Sequence, residues 1–217
     1  MKPLLCFDMD ETLIHSNKVH IKSFNKAFMK NKLKKISEKK IRNSLQGEDT
    51  ETIIKNLYPN LSREKIRKIH MDKRKIVMKE TYKYARQIQN SGKILKMLKK
   101  YYRIAILSNC THKEIKKLLD AAKIKKGIYD ILIGKDEVIH AKPYPDEIFK
   151  AEKLLKEKAE FVIGDSLQDI KAGKKAKVRI IIVLTGNTPK EKLINSKPDY
   201  IIKSIKDISK ILRGDKN

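Results

Sequence analysis

The sequence predicts an α/β fold, with a parallel sheet covered by helices and a helical segment inserted near its start. Three observations predict it. Short apolar runs alternate with longer amphipathic segments along most of the chain, as in strand-helix-strand units. The short runs are apolar at consecutive positions, which is typical of strands buried on both faces. The stretch 16–84 departs from this rhythm and contains only helical patterns.

Six apolar runs are expected to form the strands: Leu4 to Phe7, Arg103 to Leu107, Tyr129 to Ile133, Phe161 to Gly164, Val178 to Leu184 and Tyr200 to Ile202. Helix start signals lie between them. Thr111 and Glu114 have the spacing of a capping box, and Pro145 followed by Asp146 suits the first turn of a helix. This order predicts parallel strands with helices on both faces of the sheet.

The stretch 16–84 has apolar residues at helical spacing around Phe24, Ile53 and Ile66. A turn at residues 58–60 interrupts it, and Ser62 is expected to cap the helix that follows. We therefore predict two domains. The core comprises residues 1–15 and 85–217, and a helical cap comprises residues 16–84.

The composition is strongly basic. The 217 residues include 52 Lys and Arg against 26 Asp and Glu, a formal net charge of +26. The lysines are spread over nearly every predicted helix, so we interpret them mainly as a solvated surface that also attracts small anionic substrates. A nucleic-acid partner is not favoured, because the chain has no Trp and few aromatic residues among its basic positions.

Neither the cysteines nor the apolar runs point to an extracellular or membrane protein. Cys6 and Cys110 are far apart and lack a C-x-x-C spacing, so we expect reduced thiols. The apolar run before Asp8 is shorter than that of a signal peptide, and no run approaches the roughly 20 apolar residues of a spanning helix. We expect a cytoplasmic protein without a membrane partner.

Polar side chains follow the predicted strands where each one ends. Taken singly, each would be interpreted as a turn or capping residue. The carboxyl ends of parallel strands meet at one edge of a sheet, where ligands bind in α/β proteins. The residues concerned are Asp8, Asp10, Ser108, Asn109, Asp165 and Asp169, with Lys142 ahead of the helix that leads into the fourth strand.

Several carboxylates at one sheet edge require a cation. Two such charges about 4 Å apart repel by roughly 4 kcal/mol at an effective dielectric constant of about 20. Carboxylate oxygens are hard ligands, and a small set of them favours Mg²⁺. A magnesium ion is therefore expected where these carboxylates gather.

Four segments in this order resemble the motifs of the haloacid dehalogenase superfamily, in its capped phosphatase branch and similar to phosphoglycolate phosphatases. They are Asp8-x-Asp10-x-Thr12, Leu107-Ser108-Asn109, Lys142-Pro143-Tyr144-Pro145-Asp146 and Gly164-Asp165-Ser166-Leu167-Gln168-Asp169. The resemblance covers essentially the whole core and implies a Rossmann-like sheet. One departure is Lys177, which stands at a helix-to-strand turn where the family usually has Gly and a positive φ.

The resemblance implies the chemistry of the three principal carboxylates. Asp8 would attack phosphorus and form an aspartyl phosphate. Asp10 would protonate the leaving alkoxide and then deprotonate the attacking water. The Mg²⁺ ligands would be Asp8, the backbone carbonyl of Asp10, and Asp165. Dehalogenases and phosphonate-cleaving relatives lack an acid at the position of Asp10, so a phosphate ester is favoured.

The remaining motif residues would assist. Ser108, Asn109 and Lys142 would bind the phosphoryl oxygens. Asp169 would orient Lys142 or metal-bound water, and Thr12 would stabilise the turn.

The predicted function is magnesium-dependent hydrolysis of a small phosphate monoester, of the phosphoglycolate or sugar phosphate class. The alternatives are a phosphomutase on the same core, a nucleotide or nucleic-acid end phosphatase, and a non-enzymatic basic nucleic-acid-binding protein. In capped relatives specificity lies mainly in the cap. Candidates there are Arg42, Gln46, Gly47 and Lys55, with His15 and His20 near the expected hinge, whereas Cys110 is interpreted as a packing residue.

Overall fold

The computed structural model describes residues 2–214. Its strands are β1 (Leu4–Asp8), β2 (Ile14–His15), β3 (Arg86–Gln87), β4 (Arg103–Ser108), β5 (Ile131–Gly134), β6 (Ala159–Gly164), β7 (Arg179–Val183) and β8 (Tyr200–Ile202). Its α-helices are α1 (Asn17–Lys30), α2 (Glu38–Ser44), α3 (Thr50–Leu57), α4 (Arg63–Lys79), α5 (Ser91–Leu98), α6 (His112–Ala121), α7 (Asp146–Leu155), α8 (Leu167–Ala176), α9 (Lys190–Asn195) and α10 (Ile208–Gly214).

Six strands form one parallel sheet in the order β5-β4-β1-β6-β7-β8. The central strand β1 pairs with β4 on one side and β6 on the other, so that Phe7 lies opposite Ile106 and Ile163. The predicted α/β class with a Rossmann-like parallel sheet is confirmed. Each of the six apolar runs overlaps one of these strands.

Side-chain alternation along the strands builds a core on each face of the sheet. On β1, Leu5 and Phe7 belong to one hydrophobic cluster, and Leu4 and Cys6 belong to a second. All four are fully buried. Because consecutive strand residues point to opposite faces, an uninterrupted apolar run is what a strand between two helical layers requires.

Three of the predicted helix starts are observed. Thr111 and Glu114 form a capping box at α6, Ser62 accepts a hydrogen bond from Lys65 N at the start of α4, and α7 begins at Asp146. The left-handed conformation expected at Lys177 is also observed, with φ of 59° at the C-cap of α8.

Helices α1 to α4, here called the helical lobe, bury a hydrophobic cluster of their own that includes Phe24, Phe28 and Ile69. Asn31 fixes two of these helices together. Its side-chain nitrogen donates to the carbonyl of Ala27 on α1 at 3.0 Å and to Asp72 Oδ2 on α4 at 2.9 Å. The helical lobe lies within the stretch 16–84, and the division into core and cap domains stays a prediction.

The chain enters and leaves the helical lobe through a two-stranded antiparallel ribbon. Ile14 in β2 pairs with Gln87 in β3, and His15 pairs with Arg86. Two residues per strand are too few for a detectable alternation, so the sequence did not predict this ribbon. None of the helices between residues 2 and 214 is both long and apolar enough to span a bilayer.

Candidate active site

The motif side chains meet at the carboxyl edge of the sheet. Asp8 ends β1, Ser108 ends the neighbouring strand β4, and Asp165 directly follows β6 on the other side. Together with Asp10 and Lys142 they line one small cavity, about 100 Å³ in volume, between the sheet edge and the helical lobe. The strand order β4-β1-β6 is what brings these separate segments of sequence together.

Lys142 links two of the carboxylates. Its Nζ donates to Asp8 Oδ1 and, at 2.8 Å, to Asp169 Oδ1, and all three side chains are buried. Burial lowers the pKa of Lys142, but the charges of Asp169 and Asp8 outweigh burial and hold that pKa well above its usual value. Lys142 is therefore a fixed cation next to the predicted nucleophile.

Asp8, Asp165 and Asp169 form a buried acidic cluster. One carboxylate oxygen from each lies within 4.8 Å of the others. Burial raises the pKa of Asp8 well above its usual range, and the charges of Asp169 and Asp10 raise it further against the opposing effect of Lys142. Burial and the charges of Asp8 and Asp169 likewise raise the pKa of Asp165. The protein alone leaves these carboxylates short of positive charge.

The hydrogen bonds of the cluster separate Asp165 from Asp169. Both oxygens of Asp169 are engaged, because Oδ1 accepts from Lys142 and Oδ2 accepts from Ser166 N at 3.1 Å and Ser166 Oγ at 2.6 Å. Asp165 Oδ1 accepts from Thr12 Oγ1 at 3.3 Å. Thr12, which lies in the turn after β1, thus contacts the acidic cluster, and its role in stabilising the turn stays a prediction. A Cβ at Gly186 would lie 1.8 Å from Asp165 Oδ2, so the backbone passes directly against this carboxylate.

Asp10 lies in a different environment. Its Oδ1 is 3.1 Å from His20 Nε2, and its Oδ2 accepts from Ser108 Oγ at 3.3 Å and is 3.7 Å from Cys110 Sγ. Burial raises the pKa of Asp10, but the hydrogen bond and charge of His20 outweigh it and lower the pKa to about 2. Burial and the charge of Asp10 raise the pKa of Cys110. The thiol is therefore kept protonated.

Ser108 and Asn109 are held by local contacts. Ser108 Oγ accepts from Cys110 N at 3.1 Å while its hydroxyl faces Asp10. Asn109 Nδ2 donates to the carbonyl of Lys142 at 3.1 Å and to that of Gly47 at 3.2 Å. The side chain of Asn109 therefore joins the lysine segment to the helical lobe, and its predicted role in phosphate binding stays a prediction.

The loop between α2 and α3 closes over the site. Gln168 Nε2 donates to Glu48 Oε1 at 2.9 Å, and Asn187 Nδ2 donates to the carbonyl of Leu45 at 2.9 Å. Gly47 between them has φ of +87°, and a Cβ there would lie 2.8 Å from Ser166 Oγ. A side chain at this position would collide with the core.

The residues expected from the sequence to set specificity fall into two groups, according to whether they line the cavity. Gly47 and His20 line the cavity, whereas Arg42, Gln46, Lys55 and His15 are not among the described residues that line it. Cys110, interpreted from sequence as a packing residue, also lines the cavity.

Sequence reasoning missed Lys73, on α4, and Glu11, after β1. Both are buried at the cavity, and Glu11 accepts hydrogen bonds from the backbone nitrogens of Ser16 and Asn17 at 2.7 and 2.8 Å. A single Lys among so many, or a Glu beside two Asp residues, carries no signal that distinguishes it. The folded structure is what places both residues at the cavity.

The fold agrees with the comparison to known proteins. Residues 5–183 match the family model described as haloacid dehalogenase-like hydrolase. The chain belongs to that family.

Its relatives include a phosphoglycolate phosphatase from Aquifex aeolicus, 26% identical, with 96% of each chain covered. Another is the pyrophosphatase PpaX from Listeria monocytogenes, 27% identical, covering 97% of this chain and 96% of the relative. The structure of a haloacid dehalogenase-like hydrolase from Streptococcus pneumoniae superposes with a TM-score of 0.85 at 20% identity. The superposition covers 97% of this chain and 98% of that structure. Within its family this protein is a phosphatase.

Proposed function

We propose that the protein hydrolyses a small phosphate monoester, of the phosphoglycolate or sugar phosphate class, through an aspartyl phosphate formed on Asp8 with Mg²⁺ as cofactor. One observation supports this above the others. Asp8 stands at the end of the central strand with Lys142 on one side and Asp165 on the other, buried and facing the cavity.

The donor set suits Mg²⁺. The proposed ligands are a carboxylate oxygen of Asp8, the backbone carbonyl of Asp10 and a carboxylate oxygen of Asp165, all hard oxygen donors. Asp169 is unsuited to direct ligation, because Lys142 and Ser166 occupy both of its oxygens. When bound, the ion would neutralise charge on the acidic cluster and on the phosphoryl oxygens.

Asp8 acts as the nucleophile in the first of two in-line displacements. Asp10 protonates the leaving oxygen and later accepts a proton from the water that cleaves the acyl phosphate. His20 and Ser108 hold the two oxygens of Asp10 in fixed orientation. In the ligand-free protein a pKa of about 2 keeps Asp10 ionised, as the base step needs; the acid step needs the negative charge of bound substrate to raise that pKa. Lys142 and Ser108 position the phosphoryl oxygens, since a preformed cation and donor need no reorganisation during the reaction.

Pyrophosphate is a second candidate substrate, because relatives that span nearly the whole chain are named as pyrophosphatases. The same residues would serve, with phosphate in place of an alkoxide as the leaving group. Phosphoryl transfer within a sugar, and release of phosphate from nucleotide or nucleic-acid ends, also use these groups.

The test is phosphate release from phosphoglycolate, sugar phosphates, nucleotides and pyrophosphate, with Mg²⁺ or with a chelator. Wild-type protein should release phosphate only with Mg²⁺, and Asp8→Asn should lose at least about a thousandfold in kcat. Asp120→Asn, at an exposed position on α6, is the matched control and should match wild type.

Wild-type turnover by Asp8→Asn would refute the covalent mechanism. Transfer between two positions of a sugar with little free phosphate would identify a mutase. Preference for nucleotides over small esters would favour the end-phosphatase alternative.

A further inference from the structure

Lys73 is a buried cation that the proposed chemistry does not use. It lies on α4, is 5% exposed and lines the cavity beside Asp10 and His20. Its Nζ lies 5.1 Å from the centroid of the Phe24 ring. In the described part of the chain, Lys73 Nζ has neither a hydrogen bond nor an ion pair.

No carboxylate around the cavity within the described residues hydrogen bonds or forms an ion pair with Lys73, although the charge of Lys73 contributes to the low pKa of Asp10. Glu11 accepts from the backbone nitrogens of Ser16 and Asn17. Asp10 is hydrogen bonded to His20 and Ser108. Glu48 accepts from Gln168.

Asp49 caps α3 through the backbone nitrogens of residues 51 and 52. The contrast with Lys142 is direct, since that lysine has two carboxylate partners within the protein.

The neighbours of Lys73 on α4 are paired. Asp72 accepts from Lys30 at 2.7 Å, and Arg74 Nε lies 3.7 Å from Glu114. Among the described residues that the helical lobe contributes to the cavity wall, Lys73 is the one Lys or Arg. With the residue only 5% exposed, the ammonium has little contact with water, and the nearby aromatic ring replaces that hydration only in part. An anionic group of a ligand bound in the cavity would give the Lys73 ammonium an ion-pair partner.

We propose that Lys73 binds an anionic group of the substrate at the end remote from the transferred phosphoryl group, a carboxylate or a second phosphate. This inference rests on the proposed function and narrows it. Lys142 and the metal ligands stand at the sheet edge, whereas Lys73 stands on the helical lobe, so the two cations address opposite ends of one small molecule. A substrate with a neutral hydroxyl end leaves Lys73 unpaired and is disfavoured.

The experiment compares two esters that differ only at the remote end: phosphoglycolate, with a carboxylate, and 2-hydroxyethyl phosphate, with a hydroxyl group. Lys73→Met keeps the apolar stem and removes the charge. It should lower kcat/KM for phosphoglycolate by about 10- to 100-fold and for 2-hydroxyethyl phosphate by less than about threefold. Lys75→Met, an exposed position two residues along α4, is the control and should leave both values unchanged.

Binding is measured separately, by calorimetry of both esters with the Asp8→Asn protein and with its Lys73→Met double variant in the presence of Mg²⁺. The double variant should bind phosphoglycolate at least about tenfold more weakly and 2-hydroxyethyl phosphate almost equally. Because this readout needs no turnover, failure of the proposed hydrolysis does not affect it. Equal losses for the two esters, no loss for either, or no binding of either ester would overturn the role of Lys73.

Discussion

Glu147 gives the protein a stability that depends on pH. It lies in the first turn of α7, is fully buried, and neither carboxylate oxygen has a hydrogen-bond partner in the described structure. Burial raises its pKa from 4.5 to about 7. The charge of Lys142 opposes this shift, and those of Asp169, Asp146 and Glu137 add to it. At neutral pH the folded protein therefore holds this carboxyl near its midpoint of titration.

The direction of the pH dependence follows from the protonation of Glu147 in the folded and in the unfolded chain. Between pH 4.5 and about 7 the unfolded chain has lost this proton and the folded chain has kept it. The free energy of unfolding therefore falls as pH rises through this window, and it levels off above the folded pKa. The full shift corresponds to about 3 kcal/mol, since one pKa unit is about 1.4 kcal/mol.

The assay is urea denaturation of wild type and Glu147→Gln, both with chelator, at about pH 5 and about pH 8. Over that interval the variant should gain about 2 to 3 kcal/mol relative to wild type, because the amide has no proton to lose. Glu191→Gln, at an exposed glutamate on α9, serves as the control and should follow wild type. The same pH dependence in wild type and Glu147→Gln would show that the buried carboxyl is not the source.

Three further substitutions test the geometry. Gly47→Ala should lower kcat/KM about tenfold, because the new methyl group meets the core; Gly127→Ala, also at positive φ but with nothing within 4 Å, should leave kcat/KM unchanged. Gly186→Ala should raise the Mg²⁺ concentration for half-maximal activity about tenfold by displacing Asp165, measured by metal titration of phosphate release. Asn31→Ala should reduce the free energy of unfolding by about 1 to 3 kcal/mol in urea, since it removes a buried bridge between α1 and α4.

The sheet and the acidic cluster could be predicted from sequence because each has a local signal. An uninterrupted apolar run such as Phe161 to Gly164 fits a strand covered on both faces, and the strand ends then locate Asp8 and Asp165. Capping at Thr111 was predictable for the same reason, since both partners of the box lie within four residues.

The other part of the site depends on contacts between distant segments. His20, on α1, is ten residues beyond Asp10 in the sequence, and the two side chains meet only in the folded chain. Lys73 and Glu147 are a Lys and a Glu in ordinary amphipathic helices, and their burial comes from packing against the cavity wall or the sheet. Periodicity identifies a helix face, but it does not identify which neighbour that face meets.

The ribbon of β2 and β3 has an evolutionary consequence. Since Ile14 lies opposite Gln87, the chain between these strands departs from and returns to adjacent points on the molecule. An insertion with neighbouring ends can be exchanged for one of different length or shape without changing the register of the parallel sheet or the position of Asp8. The proposed catalytic edge and the surface proposed to contact the substrate's remote end can therefore change independently of each other in evolution.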